Sequence, residues 1–233
     1  MKIMTFNTQH CQNYLTKKID YEIMADTINR EDPDVVCLNE MRGKGDYEGF
    51  DDQMKILSEL CGYENFYFAK AIDVYSDSSP YGNGILSKSR IIKAQTVMIP
   101  DPKTRNGKRH YETRCILKAT LECGITVLCV HIGLNPEEKE NAIKTILENL
   151  ENEKCILMGD FNMRPEDELL EPIKERMKDA AELFSTPLFS IPSDAPTRKI
   201  DYIFATPDVE IISADIPALV ASDHRPHTAK ISF

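Results

Sequence analysis

The stretch CILMGDFNM (155–163) runs four apolar residues straight into Gly159, Asp160, Phe161 and Asn162. Burying a carboxylate at the end of such a strand is costly unless charge or hydrogen bonds compensate. The same arrangement recurs along the chain. KIMTFN (2–7) ends on Asn7, DVVCLNE (34–40) on Glu40, and the run 125–131 on His131. Asp201 opens DYIFAT, and Ser222-Asp223-His224 precedes the last apolar run. Strands hold the groups at their ends rigidly, which is why catalytic residues concentrate there. The set consists of hard oxygen donors and histidines, with no thiolate cluster. Carboxylate and amide oxygens suit Mg²⁺ or Mn²⁺, which keep several waters and are often completed by substrate phosphate. Zinc would draw more nitrogen or sulfur. A hard cation on carboxylates is the chemistry of phosphoester hydrolysis, where it neutralises the phosphate and the departing oxyanion. Each residue alone has an ordinary explanation. Gly-Asp before Asn is a turn composition, Asn7 fits a strand-end cap, Glu40 a solvated strand end, and His131 a satisfied core histidine. Their joint placement is what argues for a site.

The elements that must position these groups follow from periodicity. Residues 2–7, 34–40, 64–70, 84–88, 91–99, 114–122, 125–131, 154–160, 201–206, 209–215 and 227–233 read as strands. A helix over 18–30 carries Ile19, Ile23, Met24, Thr27 and Ile28 on one stripe, with Pro33 beyond it. A second over 51–61 turns Met54, Leu57, Leu60 and Cys61 inward, with Gly62 as its C-cap. Asn135-Pro136 opens a third, with Ala142, Ile143, Ile146, Leu147 and Leu150 on one face. Pro165 opens a fourth, through Leu169, Leu170, Ile173 and Met177. Many strands with fewer helices predict an α/β (α+β) four-layer sandwich over residues 1–233: two mixed β-sheets face to face, helices outside, one domain. No internal repeat or linker is visible.

The seven cysteines show no CxxC spacing, and Cys37, Cys115, Cys129 and Cys155 lie inside apolar runs. They read as small buried hydrophobes in a reducing compartment. With no apolar run of about 18 residues and a start too polar for a signal peptide, a cytoplasmic location is expected, with no membrane partner. The net charge of −10 repels polyanions, so nucleic acid is disfavoured as a partner without being excluded. Nothing marks an oligomer interface.

The motifs TFNTQ (5–9), LNEM (38–41), YGNGILSK (81–88), HIGLN (131–135), GDFN (159–162), KIDYIF (199–204) and SDHRPH (222–227) stand in the order found in the endonuclease/exonuclease/phosphatase superfamily, the fold of pancreatic deoxyribonuclease. The chain resembles that family over nearly its whole length. The resemblance implies that Glu40 is the principal metal ligand, helped by Asn7, with Asp223 on the metal side. It implies that Asp160 activates the attacking water and that Asn162 orients water and phosphate. His224 would bind the scissile phosphate, Asp201 would hold the His224 ring, and His131 would reach a phosphate oxygen or the leaving group. Asn83 and Arg114 transfer more weakly, as substrate-binding or supporting groups.

Substrate choice on this fold lies in the loops. The loop 101–112 is basic, with Lys103, Arg105, Lys108 and Arg109, and reads either as a phosphate clamp or as a solvated hairpin tip. Tyr47, Phe50, Tyr75 and Tyr81 read as stacking platforms or as loop packing. His10 follows the first strand and reads either as flanking the site or as structural, whereas His110 and His227 read as structural or solvent-facing. His131 stands where abasic-site endonucleases of this family carry tyrosine, and Asn39 where glutamine is common. The resulting expectation is a Mg²⁺- or Mn²⁺-dependent phosphatase or phosphodiesterase on a phosphorylated small molecule. A nuclease is the alternative, and a non-catalytic binding module would need a catalytic residue to be missing.

Overall fold

The computed structural model describes residues 1–233. In chain order the elements are β1 (Lys2–Asn7), α1 (Tyr21–Glu31), β2 (Val35–Arg42), α2 (Gln53–Cys61), β3 (Asn65–Asp73), β4 (Pro80–Ser87), β5 (Ile91–Met98), β6 (Cys115–Leu121), β7 (Thr126–His131), α3 (Pro136–Asn149), β8 (Cys155–Asp160), α4 (Glu171–Lys174), β9 (Lys178–Asp179), β10 (Asp201–Ala205), β11 (Glu210–Asp215) and β12 (His227–Ser232). They build two six-stranded mixed sheets, ordered β11-β12-β1-β2-β4-β3 and β5-β6-β7-β8-β10-β9. The sheets share one pattern of strand directions. Each has a parallel pair, β1/β2 or β7/β8, flanked by antiparallel strands. A helix joins the parallel pair in each case, α1 in the first sheet and α3 in the second. This structural repeat leaves no trace in the sequence.

Strand alternation divides the apolar residues into three cores. Ile3, Val35, Cys37, Ile85, Leu117, Val127, Cys129, Ile156, Met158, Ile203 and Ile231 meet between the sheets. Their neighbours in sequence face outward. Met4, Phe6, Val36, Leu38 and Leu86 pack with Met24, Ala25 and Ile28 of α1 and Met54 and Leu57 of α2. On the second sheet, Ile116, Leu128, Val130, Leu157 and Phe204 pack with Ala142, Ile143 and Ile146 of α3. The expected four layers are therefore present.

Several boundaries differ from expectation. The first helix begins at Tyr21, because the Asp20 side chain caps it by accepting from Ile23 N at 3.2 Å. Ile19 therefore lies outside the helix, bridged to Gln12. Leu60 of α2 is exposed rather than inward. The expected helix from Pro165 to Met177 is reduced to a 3₁₀ turn, Glu168–Leu170, and the single turn of α4. Pro172 accounts for this: it lacks an N–H and is accommodated only in a helix's first turn, so helix can begin only just before it. β4 starts at Pro80, ahead of the expected residue 84, and pairs along the whole of β3.

Gly159 interrupts β8 for a steric reason. Its φ is +148°, and a Cβ there would lie 1.9 Å from Val130 O of the parallel neighbour β7. Gly159→Ala is expected to lower stability by about 3 kcal/mol through backbone displacement and strain. A urea unfolding midpoint equal to wild type would contradict this reading.

Candidate active site

The inner positions of the strands turn from apolar to polar at one end of the sandwich. Following the alternation, Asn7 continues the inner row of Ile3, Asn39 that of Val35 and Cys37, His131 that of Val127 and Cys129, and Asp160 that of Ile156 and Met158. Asp201 begins the inner row of Ile203, opposite Asp160 in register. All five are buried. The candidate site is thus the polar end of the inter-sheet core, where the carboxyl ends of both parallel pairs meet.

Glu40 would face away from this row by parity. A bulge corrects it: the β2/β4 register shifts between Leu38 and Met41, and Glu40 adopts φ +63°. A bulge re-aims a side chain at the expense of strain. Glu40 Oε1 then accepts from Asn7 Nδ2 at 3.1 Å, and the same nitrogen donates to Asp160 Oδ2 at 3.0 Å. Gln9, His10, Cys11 and Asn162 also have left-handed backbone, so strained residues cluster around this end.

Asp160 is the centre of the arrangement. Its Oδ1 accepts from Asn162 N at 2.9 Å. Its Oδ2 lies 3.6 Å from His131 Nε2 and 3.7 Å from His224 Nε2. Burial pushes the Asp160 carboxyl up to about 7, charge on His224 pulls it down, and Asp201 pushes it up again. His224 Nδ1 meets Asp201 Oδ2 at 2.8 Å. Burial disfavours charge on His224, but Asp201 and Asp160 outweigh it and raise its pKa to about 10. His224 is therefore an imidazolium at neutral pH, fixed on one side and presenting Nε2–H to the site.

His131 behaves in the opposite way. Burial first, then Arg114 and His224, hold its pKa well below the ordinary value, so the ring is neutral. Arg114 Nη1 lies 2.8 Å from His131 Nδ1. A guanidinium only donates, so Nδ1 must accept and the proton sits on Nε2. That N–H points toward Asp160 and the open site. Glu112 orients Arg114 by an ion pair at 2.9 Å. Asn162 Nδ2 donates to Ile132 O at 2.9 Å, which leaves its carbonyl oxygen free.

Asn39 and Asn83 underlie the site. Asn39 Oδ1 accepts from Asp160 N at 3.0 Å, and its Nδ2 donates to Asn83 Oδ1 and Val130 O, both at 2.9 Å. Asn83 donates to Cys115 O at 2.9 Å. Asn83 is therefore not a substrate-binding group: it is buried, both ends of its amide are engaged, and it fastens the sheets together. Arg114 likewise acts on His131, with no open contact of its own among these bonds. Asp223 does not join the carboxylates around Glu40. Its Oδ1 accepts from Ser222 Oγ at 3.0 Å, and its charge acts on His224. Two neighbours of Glu40 carried little sequence signal. Tyr81 borders it, its hydroxyl pKa raised by burial and then by Glu40. His10, expected to flank the site, has Nδ1 4.0 Å from Glu40 Oε2. Burial, then Arg42, holds His10 near pKa 4 and hence neutral. His227 is fully buried, with Nδ1 3.3 Å from Asp201 O, which settles it as structural. His110 is exposed. Tyr47 and Tyr75 stack on each other at 5.1 Å with Phe50 edge-on, so these aromatics pack their own loops.

The donors fit a hard divalent cation. Glu40 has no lysine or arginine within 4.0 Å, and His10 beside it is neutral. Asp201 Oδ1 is buried without a partner. One cluster of three places ligand atoms of Asp160, Asp201 and His224 within 4.8 Å of one another. Asn7 is oriented to brace Glu40 and Asp160: its Oδ1 accepts from Gln9 N at 3.0 Å, and its amide would have to turn over to offer oxygen.

Fold and site define a two-sheet α/β sandwich whose polar end presents carboxylates, amides and a charged histidine, the layout of deoxyribonuclease-like proteins. The chain belongs to the Endonuclease/Exonuclease/phosphatase family, whose sequence pattern matches residues 4–224. Its structure is similar to an endonuclease/exonuclease/phosphatase from Beutenbergia cavernae at TM-score 0.81 and 21% identity, covering 100% of this chain and 71% of that one. It is also similar to a mannosyl-6-phosphatase from Bacteroides thetaiotaomicron at TM-score 0.78 and 14% identity, covering 100% of each chain. The human Nocturnin catalytic domain with bound sulfate matches at TM-score 0.72 and 17% identity, covering 100% of this chain and 94% of that one. No curated protein matches by sequence.

The Asp201–His224 pair should be visible in the pH dependence of stability. Because the folded His224 pKa is raised, its contribution is complete below about pH 6.5, the value for an unperturbed His, and is lost toward about 10. The stability difference between wild type and Asp201→Asn in urea should therefore be largest below the lower limit and shrink as pH rises. A difference that grows with pH would refute the charged pair.

Proposed function

We propose that the protein is a divalent-metal-dependent phosphoester hydrolase acting on a phosphorylated small molecule by in-line attack of water. The observation that carries this reading is the surround of Asp160: one buried carboxylate held between a charged His224, a neutral His131 with its proton on Nε2, and the unpaired Glu40. The cation, Mg²⁺ or Mn²⁺, would be held by Glu40 and Asp160 and would supply charge neutralisation at the phosphate.

The residues of the chain divide the remaining work. Asp160, whose carboxylate lies next to Asn162 and both histidines, takes the proton of the attacking water. Asn162, fixed through its backbone to Asp160 and through Nδ2 to Ile132, holds its carbonyl oxygen toward that water. His224 donates from Nε2 to a non-bridging phosphate oxygen. Its charge is maintained by Asp201, so it stabilises the transition state without first gaining a proton. His131 donates from Nε2 to a second oxygen, its tautomer set by Arg114 and Glu112.

The mannosyl-6-phosphatase of similar fold supports the small-ester reading, as does the net charge of −10. Exposed Arg109 in the 101–112 loop is the observation that favours a nuclease instead. The seven free thiols fit the cytoplasm, and no helix is long and apolar enough to cross a membrane.

Asp160→Asn should reduce kcat/KM by about 100-fold or more, with the fold retained at a modest loss of stability, because the new amide NH₂ would meet the Asn7 or Asn162 donor. Activity near wild type in this variant would refute the mechanism. EDTA should abolish hydrolysis, and Mg²⁺ or Mn²⁺ should restore it. Turnover that persists in chelator would exclude the cation's role.

A further inference from the structure

Three arginines line a cavity beside the site with no carboxylate in ion-pair range. A cavity of about 620 Å³ opens next to Asn162 and is lined by Arg109, Lys139, Arg164, Arg198 and Glu166. Arg164, Glu166 and Arg198 also line an adjoining cavity of about 510 Å³, so the two form one groove. Lys139 is matched by Asp167 at 4.0 Å. Arg109, Arg164 and Arg198 have no carboxylate within 4.0 Å, and Glu166 alone remains to oppose them. In a chain of net charge −10, three unpaired arginines facing one groove are a local reversal of sign.

The backbones that carry these arginines are pinned. Asn135, at the N-terminus of α3, bonds both Arg109 N and Arg109 O, at 2.9 and 3.2 Å. Arg164 follows buried Met163, whose carbonyl accepts from Tyr202 Oη at 3.0 Å. Arg198 is bridged to Ile191 on both sides of its peptide. Only the side chains remain to be ordered on a ligand, so no backbone ordering is added to that cost. Arginine forks match phosphate oxygens in pairs.

We propose that this groove binds a second phosphate of the substrate, so that the enzyme prefers small bisphosphorylated esters to monophosphates. The proposal rests on the hydrolase reading for the position of the scissile phosphate, beside Asn162. A small ester fits better than a polynucleotide, because the chain as a whole, at net charge −10, repels a long polyanion.

The test compares glucose 6-phosphate with glucose 1,6-bisphosphate, in wild type, R164Q/R198Q and R109Q, at low and high salt. Calorimetry with inorganic pyrophosphate runs alongside. Wild type should favour the bisphosphate by about tenfold or more in kcat/KM, mainly through KM, as expected for one or two charge-assisted bonds. The ratio should fall toward unity in R164Q/R198Q, fall partly in R109Q, and narrow at high salt. Pyrophosphate should bind wild type more tightly than the double variant. If neither ester is hydrolysed but pyrophosphate binding still depends on the arginines, the hydrolase reading fails and the groove stands. Hydrolysis with the same ratio in wild type and double variant overturns the groove. So does pyrophosphate binding that the variants leave unchanged, or arginine-dependent cleavage of single-stranded DNA in preference to both sugar esters.

Discussion

The architecture depends on one constraint: a carboxylate must sit at the mouth of an apolar core between two sheets. Asp160 is almost wholly buried, and an isolated charge there would be prohibitive. Everything around it answers that problem. Asn39 accepts its backbone N–H, Asn162 N and Asn7 Nδ2 donate to its two oxygens, and His224 supplies opposite charge. Removing any one partner leaves a buried polar group unmatched, which costs more than the bond itself contributes. The site is thus continuous with the core, and the asparagines that appear to serve chemistry serve first to join the sheets.

The two histidines show how similar burial can yield opposite protonation. Both rings are buried, and burial alone would make both neutral. His224 faces two aspartates and keeps its proton. His131 faces Arg114 and loses its charge, and the same contact fixes its tautomer. The result is two N–H donors aimed at one place, only one of them charged. Charge is thus supplied where the phosphate would sit, without two cations repelling each other across a few ångströms.

Much of this was legible in the sequence because strand parity is a short-range property. Asn7, His131 and Asp160 close apolar runs, and alternation alone places each on the inner face. Glu40 was found by motif and not by parity, since only the bulge brings it round. Asn83 was misassigned for a related reason. Its motif position suggests the substrate, but β4 runs antiparallel to β2, and its inner position at residue 83 meets Asn39 beneath the site. The expected fourth helix failed because Pro172 outweighed the apolar spacing. The roles of Tyr81 and Glu112 had no local signal, because each acts through a partner distant in the chain.

The basic loop illustrates the remaining limit of composition. Lys103, Arg105, Lys108 and Arg109 look alike in sequence, yet their surroundings differ. Arg105 is matched to Asp101 at 3.7 Å and lies over the Tyr111 ring. Arg109 is held by Asn135 so that it faces the groove, together with Arg164 and Arg198 from two other segments. What distinguishes a recognition residue here is the absence of an internal counter-charge combined with a fixed backbone, and neither can be read from a run of cations. On the proposed reading, a protein with net charge −10 would hold an anionic substrate without attracting polyanions at large: the long-range field would exclude, and a few guanidiniums at one place would select.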